Sequence, residues 1–288
     1  MSASFSRRAA LKTLGGSALL AGVAPLSSAR AAAPLQLKGN IKHSVCKWCY
    51  PNVSMEELAK AAKEMGIESI EIIGPEDWPI AQKYGLTVAM ASGGGSIAEG
   101  FNDPANHATL IETYTDLIPK AGNAGLPNVI CFSGNRNGMD DEEGLQNCVV
   151  ALQKLMPLAE QHGVTVVMEL LNSKVNHPDY MCDTTPWGVE LVKQVGSERF
   201  KLLYDIYHMQ IMEGDVIRTI RDNHEYIAHY HTGGNPGRNE IDETQELNYP
   251  AIMRAIVETG YTGYVGQEFI PTRDPLTSLR EAIELCDV

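Results

Sequence analysis

Positive charge is scarce in this chain. It holds 23 lysines and arginines against 36 aspartates and glutamates, a net charge of −13. Four of those cations, Arg7, Arg8, Lys12 and Arg30, sit in the first 31 residues, which contain no acid, so the remainder carries −17. A surface of that sign repels nucleic acid and anionic membrane at long range, which argues against either as a partner. Several chemistries are excluded by missing motifs. No GxGxxG follows the first strand-like run, and no GxxxxGK[ST], GxSxG or HExxH is present. Gly93-Gly94-Gly95 is a flexible loop without a phosphate fingerprint. No long linker, charge block or low-complexity tract divides the chain. The six cysteines, at 46, 49, 131, 148, 182 and 286, are too irregularly spaced for a small disulfide scaffold. Cys46-x-x-Cys49 has no second CxxC to pair with, and Cys46 lies in the apolar run IKHSVCKW. The cysteines therefore read as buried thiols.

The first 31 residues read as an address. Ser6-Arg7-Arg8-Ala9-Ala10-Leu11-Lys12 is a twin-arginine pattern, with Ala10 where a phenylalanine is usual. A mildly apolar stretch from Thr13 to Pro25 follows, then Ala29-Arg30-Ala31, a small-x-small cleavage site. The stretch is interrupted by glycines and falls short of the ~20 residues a membrane span needs, so no stable anchor is expected. The expectation is a cleaved signal peptide over 1–31, export of the folded protein by the twin-arginine machinery, and a periplasmic location, where disulfides are permitted.

The remaining residues, 32–288, are close to the ~250 of a single barrel. They alternate between two patterns. Strand-like apolar runs occur at 41–48, 69–73, 86–91, 128–132, 164–170, 201–206, 226–232 and 262–269. Helical spacing fills the intervals at 105–124, 141–162, 186–195, 213–222, 248–259 and 276–287, with a weaker segment at 77–84. Another helix opens at Ser54 with Glu57 in the capping-box position and stops at Gly66. Eight strand–helix units predict a single-domain α/β fold, the (β/α)8 TIM barrel. An open doubly wound sheet is the alternative, unsupported without a glycine fingerprint.

Four residues share one place in this pattern. Glu169, Asp205, His231 and Glu268 end the runs VTVVMEL, KLLYDIYH, YIAHYHT and GYVGQEF, at intervals of 36, 26 and 37 residues. Successive barrel strands would bring them together at the C-terminal face, where barrel enzymes keep their chemistry. Three carboxylates and one imidazole suit a divalent cation, Mg²⁺ or Mn²⁺ first, with Co²⁺ or Zn²⁺ as alternatives. His208, three residues beyond Asp205, is a candidate donor to substrate or to the ligands. Arg238, in the turn-rich loop 233–238, is a candidate grip for an anionic group. His229 points the same way as His231 one layer deeper, as a core or orienting histidine. Glu71 ends the second run and, like Glu268, would face the mouth of the barrel, where it either contacts substrate hydroxyls or locks neighbouring loops. The long loop 173–183, holding Lys174, His177 and Tyr180, is placed to wall the site.

Over these residues the chain resembles the hydroxypyruvate isomerases of the xylose-isomerase-like barrel superfamily. The likeness lies in Leu203-Tyr204-Asp205-Ile206-Tyr207-His208-Met209-Gln210-Ile211-Met212-Glu213-Gly214-Asp215 and Asn235-Pro236-Gly237-Arg238-Asn239-Glu240. It continues in Asn248-Tyr249-Pro250 and Gly260-Tyr261-x-Gly263-Tyr264-Val265-Gly266-x-Glu268. The resemblance implies that Glu169, Asp205, His231 and Glu268 bind the metal. It further implies that Glu169 and Glu268 move the proton, and that His208 and Arg238 contact a small hydroxy-carbonyl substrate. One departure is His229-Tyr230-His231, where a sequence like HIQ is expected; a histidine at 231 is closer to the related ketose 3-epimerases. The expected activity is conversion of hydroxypyruvate to tartronate semialdehyde through an enediolate. A ketose or inositol epimerase, or a periplasmic solute-binding protein without turnover, is the alternative. A homo-oligomer is left open.

Overall fold

Seven of the eight apolar runs become strands of one parallel sheet, and the remaining one joins it through isolated backbone bridges, interrupted at Ala89 by side chains. In the computed structural model, which describes residues 35–288, the strands are β1 (Lys42–Cys46), β2 (Ser69–Glu71), β3 (Asn128–Cys131), β4 (Thr165–Glu169), β5 (Phe200–Asp205), β6 (Ile227–Thr232) and β7 (Tyr264–Gln267). The expected signal peptide lies outside the described residues. The order is β2-β1-β7-β6-β5-β4-β3, every neighbour parallel. The run at 86–91 fills the gap between β2 and β3. Thr87 bridges Ser69, and Ala91 bridges both Ile73 and Val129. Backbone bonds from Ile70 to Thr87, from Ile72 to Met90 and from Ala91 to Asn128 complete the ring.

That run was expected to be a strand and is not one, for a local reason. At its centre both backbone groups of Ala89 are taken by side chains. Its N–H donates to Ser69 Oγ at 2.7 Å, and its carbonyl accepts from Asn128 Nδ2 at 2.8 Å. The ladder is interrupted where those side chains intrude, yet both buried backbone groups of Ala89 keep a partner.

The helices alternate with the strands: α1 (Met55–Met65), α2 (Trp78–Lys83), α3 (His107–Asn123), α4 (Asp141–His162), α5 (Thr185–Val195), α6 (Ile206–Met212), α7 (Val216–Asn223), α8 (Tyr249–Glu258) and α9 (Pro275–Cys286). The Ser54–Glu57 capping box opens α1, and Gly66, left-handed at φ +82, ends it. One helix was expected over 213–222; the chain has two short ones. Asp205 caps α6 by accepting from the His208 backbone N–H at 3.0 Å, so a helix begins directly at the strand end. Gly214 and Asp215, both at positive φ, then separate it from α7.

Outside the sheet, Val45, Ile70, Val129, Val166, Met168, Tyr204, Tyr230 and Val265 pack with the helices into one large apolar core. Inside the barrel the filling is divided. Met90, Ile130, Val167 and Leu203 form a separate apolar cluster. Ser44, Cys46, Glu71, His229 and His231, from β1, β2 and β6, are buried polar or thiol groups. The loop 173–183 is folded back over the mouth. Tyr180 bridges Asn135, and its hydroxyl donates to the Glu169 carbonyl at 2.9 Å while accepting from Ser133 N–H at 3.0 Å. Arg136 pins the loop through Asp183 at 3.1 Å.

Ser69→Ala should leave the wholly buried Ala89 N–H without an acceptor. The expected loss in urea unfolding is about 1–3 kcal/mol. A loss below roughly 0.5 kcal/mol, the ordinary range for a featureless surface change, would mean that the barrel does not depend on this bond.

Candidate functional site

Glu169 ends β4, Asp205 ends β5, His231 lies one residue short of the end of β6, and Glu268 follows β7. Register puts Asp205 opposite His231, and His231 opposite Gly266, two residues below Glu268. All four side chains point inward, and one donor atom from each lies within 4.8 Å of the others. Asp205 and His231 are fully buried, and Glu169 and Glu268 almost so. The sequence expectation that these four meet at one end of the barrel matches their placement.

His231 Nδ1 lies 2.8 Å from Glu268 Oε2 and 3.6 Å from Glu169 Oε1. These are ion-pair approaches without hydrogen-bond alignment, because His231 Nδ1 and Glu169 Oε1 both remain buried and unpartnered. Such atoms ordinarily call for an unseen partner. Two lone-pair donors, turned toward each other beside two further carboxylates, form a set that fits a divalent ion.

Arg238 supplies the positive charge present. Its Nη2 donates to Glu268 Oε2 at 2.6 Å and to Asp205 Oδ2 at 3.3 Å. The guanidinium lies over Trp48 at 5.1 Å and Tyr207 at 5.5 Å, which holds it in place by cation–π attraction. Trp48 Nε1 also donates to Glu268 Oε1 at 2.8 Å. Arg238 reaches this position from a turn in which Gly237 and Arg238 both have positive φ, +99 and +61. Its expected role as a grip for an anion is thus shared with the protein's own carboxylates. Its Nε–H stays buried without a partner.

The carboxylates do not titrate alike. Burial lifts Asp205 to about 8 against the pull of Arg238, with Glu268 and Glu169 adding to the rise. Burial and the charge of Glu268 raise Glu169. Burial would raise Glu268 too, but His231 and Arg238 hold it well below the usual range. Burial opposes a charged His231, yet Glu268 and Glu169 outweigh it and keep the imidazole above its ordinary value.

His208 presents one defined donor. The Asn172 backbone N–H donates to His208 Nδ1 at 3.1 Å, so the ring proton belongs on Nε2. Burial and Arg238 keep the ring neutral. Nε2 has no hydrogen-bond partner and stands 3.8 Å from Asp205 Oδ2. His177, from the loop 173–183, packs its ring 5.3 Å from that of His208.

Glu71 is placed differently from the mouth position expected of it. It is fully buried beneath His231, its Oε2 3.7 Å from His231 Nε2 and 2.6 Å from His229 Nε2. Burial would raise its carboxyl, but the two histidines bring it to about 2. All six cysteines are buried and unpaired. Cys46 Sγ stands 3.7 Å from His231 Nε2, and burial pushes its thiol well up, so it is a neutral neighbour. Sequence reasoning did not place Cys46 or Trp48 at the site. Both close the first apolar run, the same signal that marked the acids.

Above this cluster lies a cavity of about 350 Å³. Glu169, Glu268, Arg238 and His177 line it, with Trp48, Ile72, Ile97, Ile130, Phe132 and Leu171 as its apolar walls. A larger cavity, about 670 Å³ between residues 240–250 and α9, touches none of the candidate metal donors, so size alone does not mark the site.

The sequence model of the xylose isomerase-like TIM barrel family matches residues 55–287. The putative hydroxypyruvate isomerase of Homo sapiens is 24% identical over 268 residues, covering 86% of this chain and 94% of that protein. The 2-oxo-tetronate isomerase of Pectobacterium atrosepticum is 27% identical over 238 residues, covering 77% and 88%. Among solved structures, an AP endonuclease of family 2 from Brucella melitensis superposes with a TM-score of 0.76 at 24% identity, covering 83% of this chain and 97% of that one. A D-psicose 3-epimerase from Clostridium cellulolyticum H10, solved with D-tagatose, gives 0.70 at 22%, covering 86% and 97%. At these identities the structures share the fold.

Arg238→Met keeps an apolar stem but leaves the buried Asp205 and Glu268 without their guanidinium. In chelator at pH 7, urea unfolding should show a loss of about 3–5 kcal/mol, the cost of stranding one side of a buried ion pair. Added Mn²⁺ should return part of it. A change under roughly 1 kcal/mol, the scale of an exposed pair, would show that the pairing contributes little.

Proposed function

The chain belongs to the xylose isomerase-like TIM barrel family, and we propose that it is a metal-dependent sugar or keto-acid isomerase, converting hydroxypyruvate to tartronate semialdehyde. The observation that carries this reading is the convergence of Glu169, Asp205, His231 and Glu268 below the cavity, with His231 Nδ1 and Glu169 Oε1 unpartnered. The relatives named hydroxypyruvate isomerase and 2-oxo-tetronate isomerase support the choice of substrate class.

Those four residues would hold the ion, Mg²⁺ or Mn²⁺ by preference. When bound, it supplies Lewis-acid polarisation of a carbonyl and the hydroxyl beside it. The residues divide the remaining work by depth. Glu169 and Glu268 line the cavity, whereas Asp205 and His231 do not. The outer pair is therefore placed to meet a substrate carbon. One glutamate takes a proton from C3 of hydroxypyruvate, leaving its electron pair in an enediolate; the C3 hydroxyl proton passes to the C2 oxygen, and the same or the other glutamate returns a proton at C2. His208 Nε2–H donates to a substrate oxygen as charge grows there. The unpartnered Arg238 Nε–H is available to the substrate carboxylate. The walls of isoleucine, leucine and phenylalanine keep water from the enediolate.

An epimerase acting on a ketose or inositol is favoured by one observation, the histidine at 231. It would use the same glutamates to remove and return a proton at a single carbon. Both enzymes would wash solvent deuterium into substrate carbon; a solute-binding protein would not. Residues 1–31 are proposed to export the folded chain to the periplasm by the twin-arginine route. Arg7→Lys with Arg8→Lys should keep the chain uncleaved in the cytoplasm, read by fractionation and N-terminal mass.

Glu169→Gln and Glu268→Gln should each lower turnover of hydroxypyruvate by roughly 10²–10⁴-fold while the fold survives. Asp205→Asn should chiefly weaken metal binding, and excess Mn²⁺ should recover much of its rate. Near-normal turnover in either glutamine variant at saturating metal rules that glutamate out as a proton carrier. Activity on a ketose with no tartronate semialdehyde would move the assignment to the epimerase.

A further inference from the structure

The metal site as proposed leaves an anion unused beneath it. Glu71 is 0% exposed, both its carboxylate oxygens lack hydrogen-bond partners, and it does not line the cavity. A buried carboxylate of this kind is costly unless it has work to do. Its neighbours are the lower edge of the His231 ring, with Oε2 3.7 Å from Nε2, and His229 Nε2 at 2.6 Å.

The space it occupies exists because residue 266 has no side chain. A Cβ on Gly266 would lie 2.0 Å from Glu71 Oε1 and 2.9 Å from His231 Cδ2. Gly266 is not among the glycines at positive φ, so the backbone conformation does not demand glycine. What demands it is the room taken by Glu71 and His231.

We propose that Glu71, seated in the space left by Gly266, is a positioning residue that fixes His231 with its proton on Nε2 and its lone pair on Nδ1, toward Glu169, Asp205 and Glu268. The imidazole has two edges. Nδ1 faces the cluster of acids, 2.8 Å from Glu268 Oε2. Nε2 faces Glu71 and Cys46, each 3.7 Å away. A carboxylate beneath Nε2 favours the proton there, and an oriented imidazole is a stronger ligand. His229 lies against the same carboxylate, holding it from the side away from the metal site. The inference rests on the metal site proposed above, from which its test separates it.

The test is Mn²⁺ affinity, measured by calorimetry on the metal-stripped chain, with thermal melting as the control for folding. Glu71→Gln keeps the size of the group and removes its charge. Gly266→Ala keeps every ionisable group and takes away the room. Each should weaken Mn²⁺ binding by about 10–100-fold while melting cooperatively. Glu71→Gln binding Mn²⁺ as tightly as the wild type overturns the positioning role. Failure of the wild type to bind Mn²⁺ at all overturns the metal site instead. If neither variant folds, ¹⁵N-histidine NMR of the Zn²⁺-loaded wild type decides. A proton on His231 Nε2 with Nδ1 shifted by the metal supports the proposal, and the reverse tautomer refutes it.

Discussion

Three acids buried around one imidazole set the terms for the rest of this molecule. Glu169, Asp205 and Glu268 bring their oxygens within 4.8 Å of each other and of His231. Like charges at that separation in a poorly screened interior repel strongly. Without compensation, protonation or unfolding would relieve them; Asp205 rises to about 8, driven first by burial and further by Glu268 and Glu169, against Arg238. Arg238 supplies part of the answer, bridging Asp205 and Glu268 from above. To do so it needs Trp48 and Tyr207 on its two faces, and a left-handed turn to bring it there. The loop after β6, the end of the first run and the start of α6 are thereby tied to one electrostatic need.

The barrel beneath is organised around the same constraint. Its apolar cluster of Met90, Ile130, Val167 and Leu203 packs without polar groups. The staves at the other side carry Cys46, Glu71, His229 and His231. Buried polar groups are best tolerated near an opposite charge or donor, and here they gather on the β2-β1-β7-β6 side of the sheet, around Gly266 of β7. The apolar cluster gives the barrel its packing, and the polar column carries the site.

Much of this was legible in the sequence, because period and position carry it. Apolar runs at βα spacing gave the barrel, and the acids and histidine ending them marked one face. What escaped has physical causes. The run at 86–91 reads as a strand, but Ser69 and Asn128 take the backbone groups of Ala89, and side chains so distant in sequence leave no local signal. The start of α6 hides in KLLYDIYH because Asp205 is both strand end and helix cap. Glu71 was read at the wrong height. Strands in a barrel are staggered, so ends that look equivalent along the chain do not lie at one level. Register pairs Glu71 with Cys46, below the rim where Trp48 reaches Glu268. The trap formed by Trp48, Tyr207 and Arg238 joins three distant segments, which no spacing rule connects.

The two outer glutamates, equivalent in sequence, are unequal in their surroundings. Glu268 has Arg238 on one oxygen, with His231 close beside it, and Trp48 on the other. Such a carboxylate is fixed in direction and loses basicity to its partners. Glu169 is anchored by its backbone, through Tyr180, while its Oε1 keeps an open lone pair. A group that must take a proton from carbon and give it back needs an uncommitted oxygen; a group that must hold an ion gains from being fixed. In the proposed reaction this makes Glu169 the one that abstracts, while Glu268, ionised and held by Arg238 and Trp48, is the one that orients. The division of labour would follow from which glutamate the arginine, the indole and the imidazole restrain.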